Sequence, residues 1–309
     1  MKIFAGSSNP ILAQEIASSF GGLGQIRIDS FSDGELSPQY LESVRNEDVY
    51  IIQSGITAKH NMELFLMIDA AKRNDAHKIS IIMPYHAYCR MDKIDGPRGP
   101  IGAKMIADIL SSLGVSRIIS IDLHSAAIQG FYDIPVVCLE GRNIFKDVLK
   151  EFNDESFIIC SPDQGGVARA EKFRKFLPKT GFAFIIKKRV KPNEINSMIL
   201  VGDVKDKHVL LIDDIADTCG TLSKAVDELL AKGAKSVRAV ITHPILSGKA
   251  FDIIEKSNLT ELIVSNTIEH DPLLLPKKVR VVSCHKFLVE AIKGLEQKIS
   301  IETINSNIS

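Results

Sequence analysis

Asp213 and Asp214 follow an unbroken apolar run, Val209–Ile212, and lead into the hydroxyl-rich loop Asp217-Thr218-Cys219-Gly220-Thr221. The apolar run, with His208 before it, reads as a buried strand, and a helix is expected to begin near Leu222. Backbone N–H groups at a helix start hold phosphate, and the helix dipole adds to them. Gly220 is expected to permit close approach or a positive φ, and Thr218 and Thr221 supply hydroxyl donors. Two carboxylates beside such a cradle suit the phosphate poorly. They suit a sugar diol, whose hydroxyls donate to them. A capped helix with Asp217 or Thr218 as N-cap would account for the loop taken alone; the acidic pair in front of it points to a ribose 5-phosphate. The chain holds no G-x-x-x-x-G-K-[ST] segment, so a P-loop kinase is disfavoured.

Other residues carry chemistry of their own. Phe31 can stack on a flat base, with Asp33 and Glu35 accepting from an exocyclic amine or from ribose hydroxyls, although Ser32-Asp33-Gly34 alone reads as a surface turn. Arg90 has a planar fork that suits phosphate and stacks on a base. His124, beyond the apolar run Ile118–Ile121, would by itself be a strand-end histidine with a structural hydrogen bond. Lys187-Lys188-Arg189 would be a solvated basic run if it did not follow apolar Phe182–Ile186 directly.

Short apolar runs alternate with helix-period segments along the whole chain. Strands are expected at 3–5, 48–53, 79–83, 117–122, 157–160, 182–186, 208–212 and 236–241. Helices are expected at 10–20 (Asn9 as cap, Pro10 at the first position), 62–72, 101–113, 165–176, 222–232 and 286–295. Continuous apolar strands separated by helices predict a parallel sheet covered on both faces. The pattern repeats, with Ile119–Leu123 resembling Leu210–Asp214, which suggests two related α/β halves meeting near 135–142. Residues 302–309 are expected to fray.

The 309 residues are ample for two domains. Lys+Arg and Asp+Glu both number 38, so no global charge points to nucleic acid or a membrane surface, and any anion site must be local. The five cysteines are widely spaced with no C-x-x-C, against a disulfide framework or zinc site and in keeping with a reducing cytoplasm. No secretory signal and no transmembrane helix are expected.

The 209–221 fingerprint resembles that of phosphoribosyltransferase-type proteins. With it stand Phe31–Glu35, Pro84–Asp92, Asp122–His124, Gln129–Pro135, Ser161–Gly166, Lys187–Arg189 and Thr242–Pro244. Together, in this order, they resemble the ribose-phosphate diphosphokinases nearly end to end. The resemblance implies an α/β fold of two similar phosphoribosyltransferase-like domains, each a mainly parallel sheet flanked by helices. It implies an ATP-side domain over 1–138, a ribose 5-phosphate domain over 139–283, and a helix and tail, 284–309, packing back on the first. The implied reaction moves the diphosphoryl group of ATP to the 1-hydroxyl of ribose 5-phosphate, giving 5-phosphoribosyl 1-diphosphate (PRPP) and AMP.

Carried over residue by residue, Lys187 matches the catalytic lysine and Arg189 its partner, which also serves the ribose 5-phosphate. Phe31, Asp33, Gly34, Glu35, Arg90 and Met91 match the ATP positions. Asp213, Asp214, Asp217, Thr218, Cys219, Gly220 and Thr221 match the ribose 5-phosphate positions. His124 and Asp163 match those for Mg²⁺, where an imidazole is unusual or acts through water. A cytoplasmic homohexamer is implied. Departures are Met91, where the family usually has Gln, and Ile94 and Gly96, where basic residues are usual in a mobile loop over 90–104 that keeps Arg98. The segment Ser54–Met62 is shorter than in phosphate-activated members, so regulation by phosphate and ADP is not implied. The alternatives are a synthetase-like paralogue of reduced or regulatory activity and a phosphoribosyltransferase that consumes PRPP.

Overall fold

The computed structural model describes residues 1–191 and 194–306; of 187–191 and 194–197 it describes the backbone alone. The chain forms two compact units. One comprises Met1–Glu140, Thr267–Glu269 and Ser283–Ser309, the other Gly141–Asn266 and His270–Val282.

The first unit contains β1 (Lys2–Ala5), α1 (Pro10–Ala17), β2 (Ile26–Ser30), β3 (Leu36–Tyr40), β4 (Asp48–Ile52), α2 (Ala58–Arg73), β5 (Lys78–Ile82), α3 (Gly102–Ser112), β6 (Arg117–Ile121) and β7 (Val136–Leu139). Strands β1-β4-β5-β6-β7 form a parallel sheet in that order. Its middle strands are buried apolar runs, the pattern expected of a parallel sheet covered on both faces. The Asn9 side chain caps α1 by accepting from the Leu12 N–H at 3.1 Å. α2 begins at Ala58, four residues before the expected start. Thr57 caps it by accepting from the His60 N–H, and its polar first turn hides it from the apolar pattern. β2 and β3 pair antiparallel as a separate hairpin.

The second unit contains α4 (Lys146–Leu149), β8 (Phe157–Ser161), α5 (Val167–Arg174), β9 (Gly181–Lys191), β10 (Glu194–Val201), β11 (His208–Ala216), α6 (Gly220–Ala231), β12 (Ser236–Pro244), α7 (Ala250–Lys256), β13 (Glu261–Ser265) and β14 (Val279–Val282). Its sheet runs β10-β9-β8-β11-β12-β13-β14, parallel except where β10 turns back on β9. Leu211, Val226, Leu229, Ala239 and Ile241 are among its core residues. The chain leaves β8 through α5 toward β9, on one side, and leaves β11 through α6 toward β12, on the other. The carboxyl ends of β8 and β11 therefore flank a topological switch point, where open α/β sheets bind ligands.

The chain ends with α8 (His285–Glu296) and α9 (Ile301–Ser306), both in the first unit. Residues 302–306 are helical rather than frayed, because Ile304 is buried against Gly294 and the Asn305 side chain bonds the Glu140 N–H and the Cys138 carbonyl. Residues 307–309 lie outside the described residues. On α8, Glu296 accepts a 2.5 Å hydrogen bond from the Tyr50 hydroxyl. No described helix is long and apolar enough to cross a membrane, and none of the five cysteines, all described, forms a disulfide.

Candidate active site

β11 outlasts its neighbour on one side. Its pairing with β8 stops at Leu211 opposite Cys160, whereas pairing with β12 continues to Ala216 opposite Pro244. The strand thus runs four residues beyond the expected end at Ile212, and Asp213 and Asp214 lie within it, on the shoulder where β8 has stopped. Asp214 is buried and Asp213 is partly open. The Asp214 N–H donates to Asp213 Oδ1 at 2.9 Å.

The turn that replaces β8 supplies a third carboxylate and a guanidinium. Ser161 Oγ donates to the Asp163 carbonyl at 2.7 Å, and the Gly166 N–H donates to Asp163 Oδ1 at 3.0 Å. α5 follows at once. Arg169, one turn in, puts Nη1 3.1 Å from Asp214 Oδ1 and 3.6 Å from Asp213 Oδ1. Sequence reasoning missed Arg169. Its only signal was a helical start just beyond the Ser161–Gly166 segment.

The loop after β11 is built differently from expectation. Cys219, not Gly220, takes the left-handed conformation (φ 61°), and α6 starts at Gly220 rather than Leu222. Cys219 is the N-cap residue, in place of Asp217 or Thr218, and its side chain makes no cap hydrogen bond. A non-glycine residue in this region costs about 1–2 kcal/mol. Burial of the Cys219 side chain in the core of the second unit holds it there. Asp217 is fixed from outside the loop: it accepts a short hydrogen bond from Ser247 Oγ, and the Leu246 N–H donates to the Ala216 carbonyl at 3.0 Å. The result is a twelve-residue helix whose first N–H groups open beside two carboxylates.

Burial raises the Asp213 carboxyl well above the ordinary carboxylate range. The Asp214 charge and hydrogen bond, and then Asp163, push the same way; Arg169 opposes them. The two carboxylates titrate as a pair. Asp213 therefore opposes folding once the unfolded chain has ionised: its contribution is harmless below the unfolded carboxyl value and destabilising as pH rises through the window up to the folded one. Asp213→Asn, without ligand, is expected to melt above the parent at neutral pH. The gain should vanish on acidification below the ordinary carboxylate range. A thermal-unfolding series in pH checks this, and a gain that does not change with pH would contradict it.

In the first unit, Phe31–Glu35 is the turn of the β2–β3 hairpin. The Phe31 N–H donates to the Glu35 carbonyl at 2.8 Å, and the Gly34 N–H donates to the Phe31 carbonyl at 2.9 Å, with Gly34 at φ 94°. Asp33 Oδ1 accepts from the Glu35 N–H at 3.0 Å. The turn leaves the Phe31 ring 61% exposed, although most large apolar side chains of this unit are buried. Arg90 and Met91 line a cavity of about 290 Å³ together with Gly55–Ala58, Asn61, Tyr85 and Tyr88. Backbone contacts shape it. The Gly55 N–H donates to the Tyr85 carbonyl at 3.0 Å, and the Ala103 N–H donates to the Met91 carbonyl at 3.1 Å. A Cβ on Gly55 would lie 2.3 Å from that of Ala87, so only glycine fits. His124 follows β6 and is exposed. Arg98, at φ 65°, lies on an exposed stretch, and Ile94 there is 61% exposed.

Lys187 and Arg189 fall within β9, but their side chains lie outside the described residues. Thus Asp163, Asp213, Asp214 and the 217–221 loop come together in the second unit. Arg90 and Met91 come together in the first, which also carries the Phe31–Glu35 turn and His124. Among the described residues no three His, Cys, Asp or Glu side chains cluster as a metal site.

Fold and acidic strand end together define a phosphoribosyltransferase-type α/β protein. Residues 1–114 match the model of the N-terminal domain of ribose phosphate pyrophosphokinase, and residues 179–305 that of the phosphoribosyl synthetase-associated domain. The chain is 42% identical over 307 residues to ribose-phosphate pyrophosphokinase of Porphyromonas gingivalis, covering 98% of this chain and 96% of that one. It is 43% identical to that of Bacillus caldolyticus, with 98% and 97% covered. The crystal structure of phosphoribosylpyrophosphate synthetase from Mycobacterium smegmatis superposes with a TM-score of 0.89 at 35% identity, over 96% of this chain and 99% of that one. The chain belongs to the ribose-phosphate pyrophosphokinase family.

Proposed function

We propose that this chain transfers the β,γ-diphosphoryl group of ATP to the 1-hydroxyl of ribose 5-phosphate, releasing PRPP and AMP. One observation carries the reading: a carboxylate pair and a helix N-terminus open side by side at a switch point. The Gly220 and Thr221 N–H groups and the Thr218 and Thr221 hydroxyls take the 5-phosphate. Asp213 and Asp214 accept from the sugar diol and leave the 1-hydroxyl to attack the β-phosphorus in line. Phe31, Asp33, Gly34, Glu35, Arg90 and Met91 serve the nucleotide. Lys187 and Arg189 stabilise charge on the transferred group.

Mg²⁺ fits the oxygen-rich acidic end. Asp163 is oriented by its bond from the Gly166 N–H, and an ion of this kind keeps several waters and substrate phosphates as ligands. His124 would act through such a water. When bound, the ion neutralises charge on the polyphosphate. The two units are the two catalytic domains of a cytoplasmic homohexamer, on the family's pattern. Met91, Ile94 and Gly96 favour a second reading, a paralogue of reduced activity, because a loop with fewer cations closes less firmly over polyphosphate.

Purified protein with MgATP and ribose 5-phosphate should form AMP and PRPP together, with AMP formation dependent on the sugar. No product across a range of Mg²⁺ and phosphate concentrations would overturn the proposal.

A further inference from the structure

We infer that Arg169 is a positioning residue of the acceptor site, where its guanidinium orients Asp213 and Asp214 to receive the sugar diol. The inference rests on the proposed function for the identity of the sugar. Its physical basis is the geometry of the second unit. The Arg169 side chain is 17% exposed and reaches both carboxylates, the enclosed Asp214 (4%) more closely than the less enclosed Asp213 (26%). The guanidinium is a planar fork of five donors without an acceptor. Bound to the inner carboxylate, it fixes the rotamer of Asp214, and its 3.6 Å contact draws on Asp213, whose Oδ1 the Asp214 backbone N–H already holds.

The backbone around Arg169 is built to hold it there. Gly166 lets α5 start close against the end of β8, where a Cβ would stand 2.7 Å from Ser161 Oγ. Asp163 Oδ1 receives the Gly166 N–H, and the Ala170 N–H closes on the Gly166 carbonyl at 2.9 Å. The Ser161–Gly166 segment therefore does more than present Asp163. It sets the register of α5 so that its third residue meets β11.

Stability alone explains the arrangement poorly. An enclosed ion pair contributes little net stability compared with apolar packing of the same volume, and here three carboxylates share this end of the sheet. An excess of negative charge at this end is unfavourable in the free protein, because Asp163 and Asp214 both act against ionisation of Asp213. It becomes useful when a ligand bearing several hydroxyl donors arrives. Arg169 keeps that excess ordered until then.

The test compares the full-length protein with Arg169→Gln and Arg169→Lys. Arg169→Gln is expected to raise the KM for ribose 5-phosphate roughly tenfold or more, with the KM for ATP within about twofold. Arg169→Lys should recover part of the sugar affinity but not all, since a point charge replaces a fork. In an Asp214→Asn background, Arg169→Gln should add less than it does alone, because it acts through that carboxylate. Calorimetric titration of ribose 5-phosphate without ATP should weaken in parallel with the KM. Equal rises in both KM values, or an unchanged sugar affinity in a folded Arg169→Gln protein, would overturn the inference. Should Arg169→Gln fail to fold, Arg169→Lys decides by the same two readouts. Sugar binding that depends on Arg169 in a protein that forms no PRPP would sink the proposed reaction and leave the positioning role standing.

Discussion

Asp214→Ala is expected to lower the stability of the second unit by about 3 kcal/mol and kcat/KM for ribose 5-phosphate by roughly a hundredfold. Both effects arise at one atom. Asp214 Oδ1 is the nearer partner of Arg169, and the side chain is 4% exposed. Truncation takes the 3.1 Å partner from a guanidinium that is itself mostly enclosed, and the contact to Asp213 is longer, at 3.6 Å. Removing one partner of an enclosed pair is far worse than never having had the pair, because the remaining charge keeps its desolvation penalty. Asp214→Asn separates the two effects. It preserves shape and one oxygen toward Arg169, so most of the stability should return. The diol still loses a charged acceptor, so activity should stay low. Denaturant midpoints and steady-state kinetics on both variants check this. An Asp214→Ala protein with the parent's midpoint would contradict the charge argument.

The outcome at this loop shows how far the sequence could be read. The acidic pair and helix start were legible because Val209–Ile212 has the composition of a buried strand, and because Asp-Asp followed by Thr and Gly has few purely structural uses. Three details were not. Strand extension to Ala216 depends on β12, whose partners lie some thirty residues away. The left-handed residue was assigned to Gly220 on intrinsic preference, but tertiary burial placed Cys219 there. Arg169 lies far from the pair in sequence, and the register of α5 brings it home. The hairpin of β2 and β3 escaped for a related reason. Its residues are only partly buried and β3 contains Pro38, so neither a continuous apolar run nor a clean alternation marks it. Local composition identifies buried strands and helices well. It does not identify what neighbouring elements impose.

Glu63 supplies the counterpart in the first unit, and Glu63→Ala is expected to lower stability by about 3–5 kcal/mol. The carboxylate on α2 is fully enclosed. It accepts from the Ser7 N–H at 2.6 Å, Ser7 Oγ at 2.7 Å and Gln53 Nε2 at 2.8 Å. Gln53 in turn donates to the His60 carbonyl and accepts from the Ser8 N–H, and Ser8 Oγ receives the Ser54 N–H at 2.7 Å. The network ties the end of β1 to the residues leading into the cavity lined by Gly55–Ala58, Asn61, Arg90 and Met91. Alanine would take a charged acceptor from three donors at once; Ser7 is exposed and can turn to water, but the Gln53 Nε2 bond is enclosed and its lost acceptor is not replaced. Glutamine offers one oxygen to those donors and turns an NH₂ toward others, so it should recover only part of the loss. The functional consequence follows from location. All of these groups belong to the first unit, so a Glu63→Gln protein that remains folded should lose affinity for ATP and keep its affinity for ribose 5-phosphate, the reverse of the Arg169 pattern. Separate KM values for the two substrates, measured below the melting transition of the variant, decide the matter: a loss confined to the sugar would refute this account of the network.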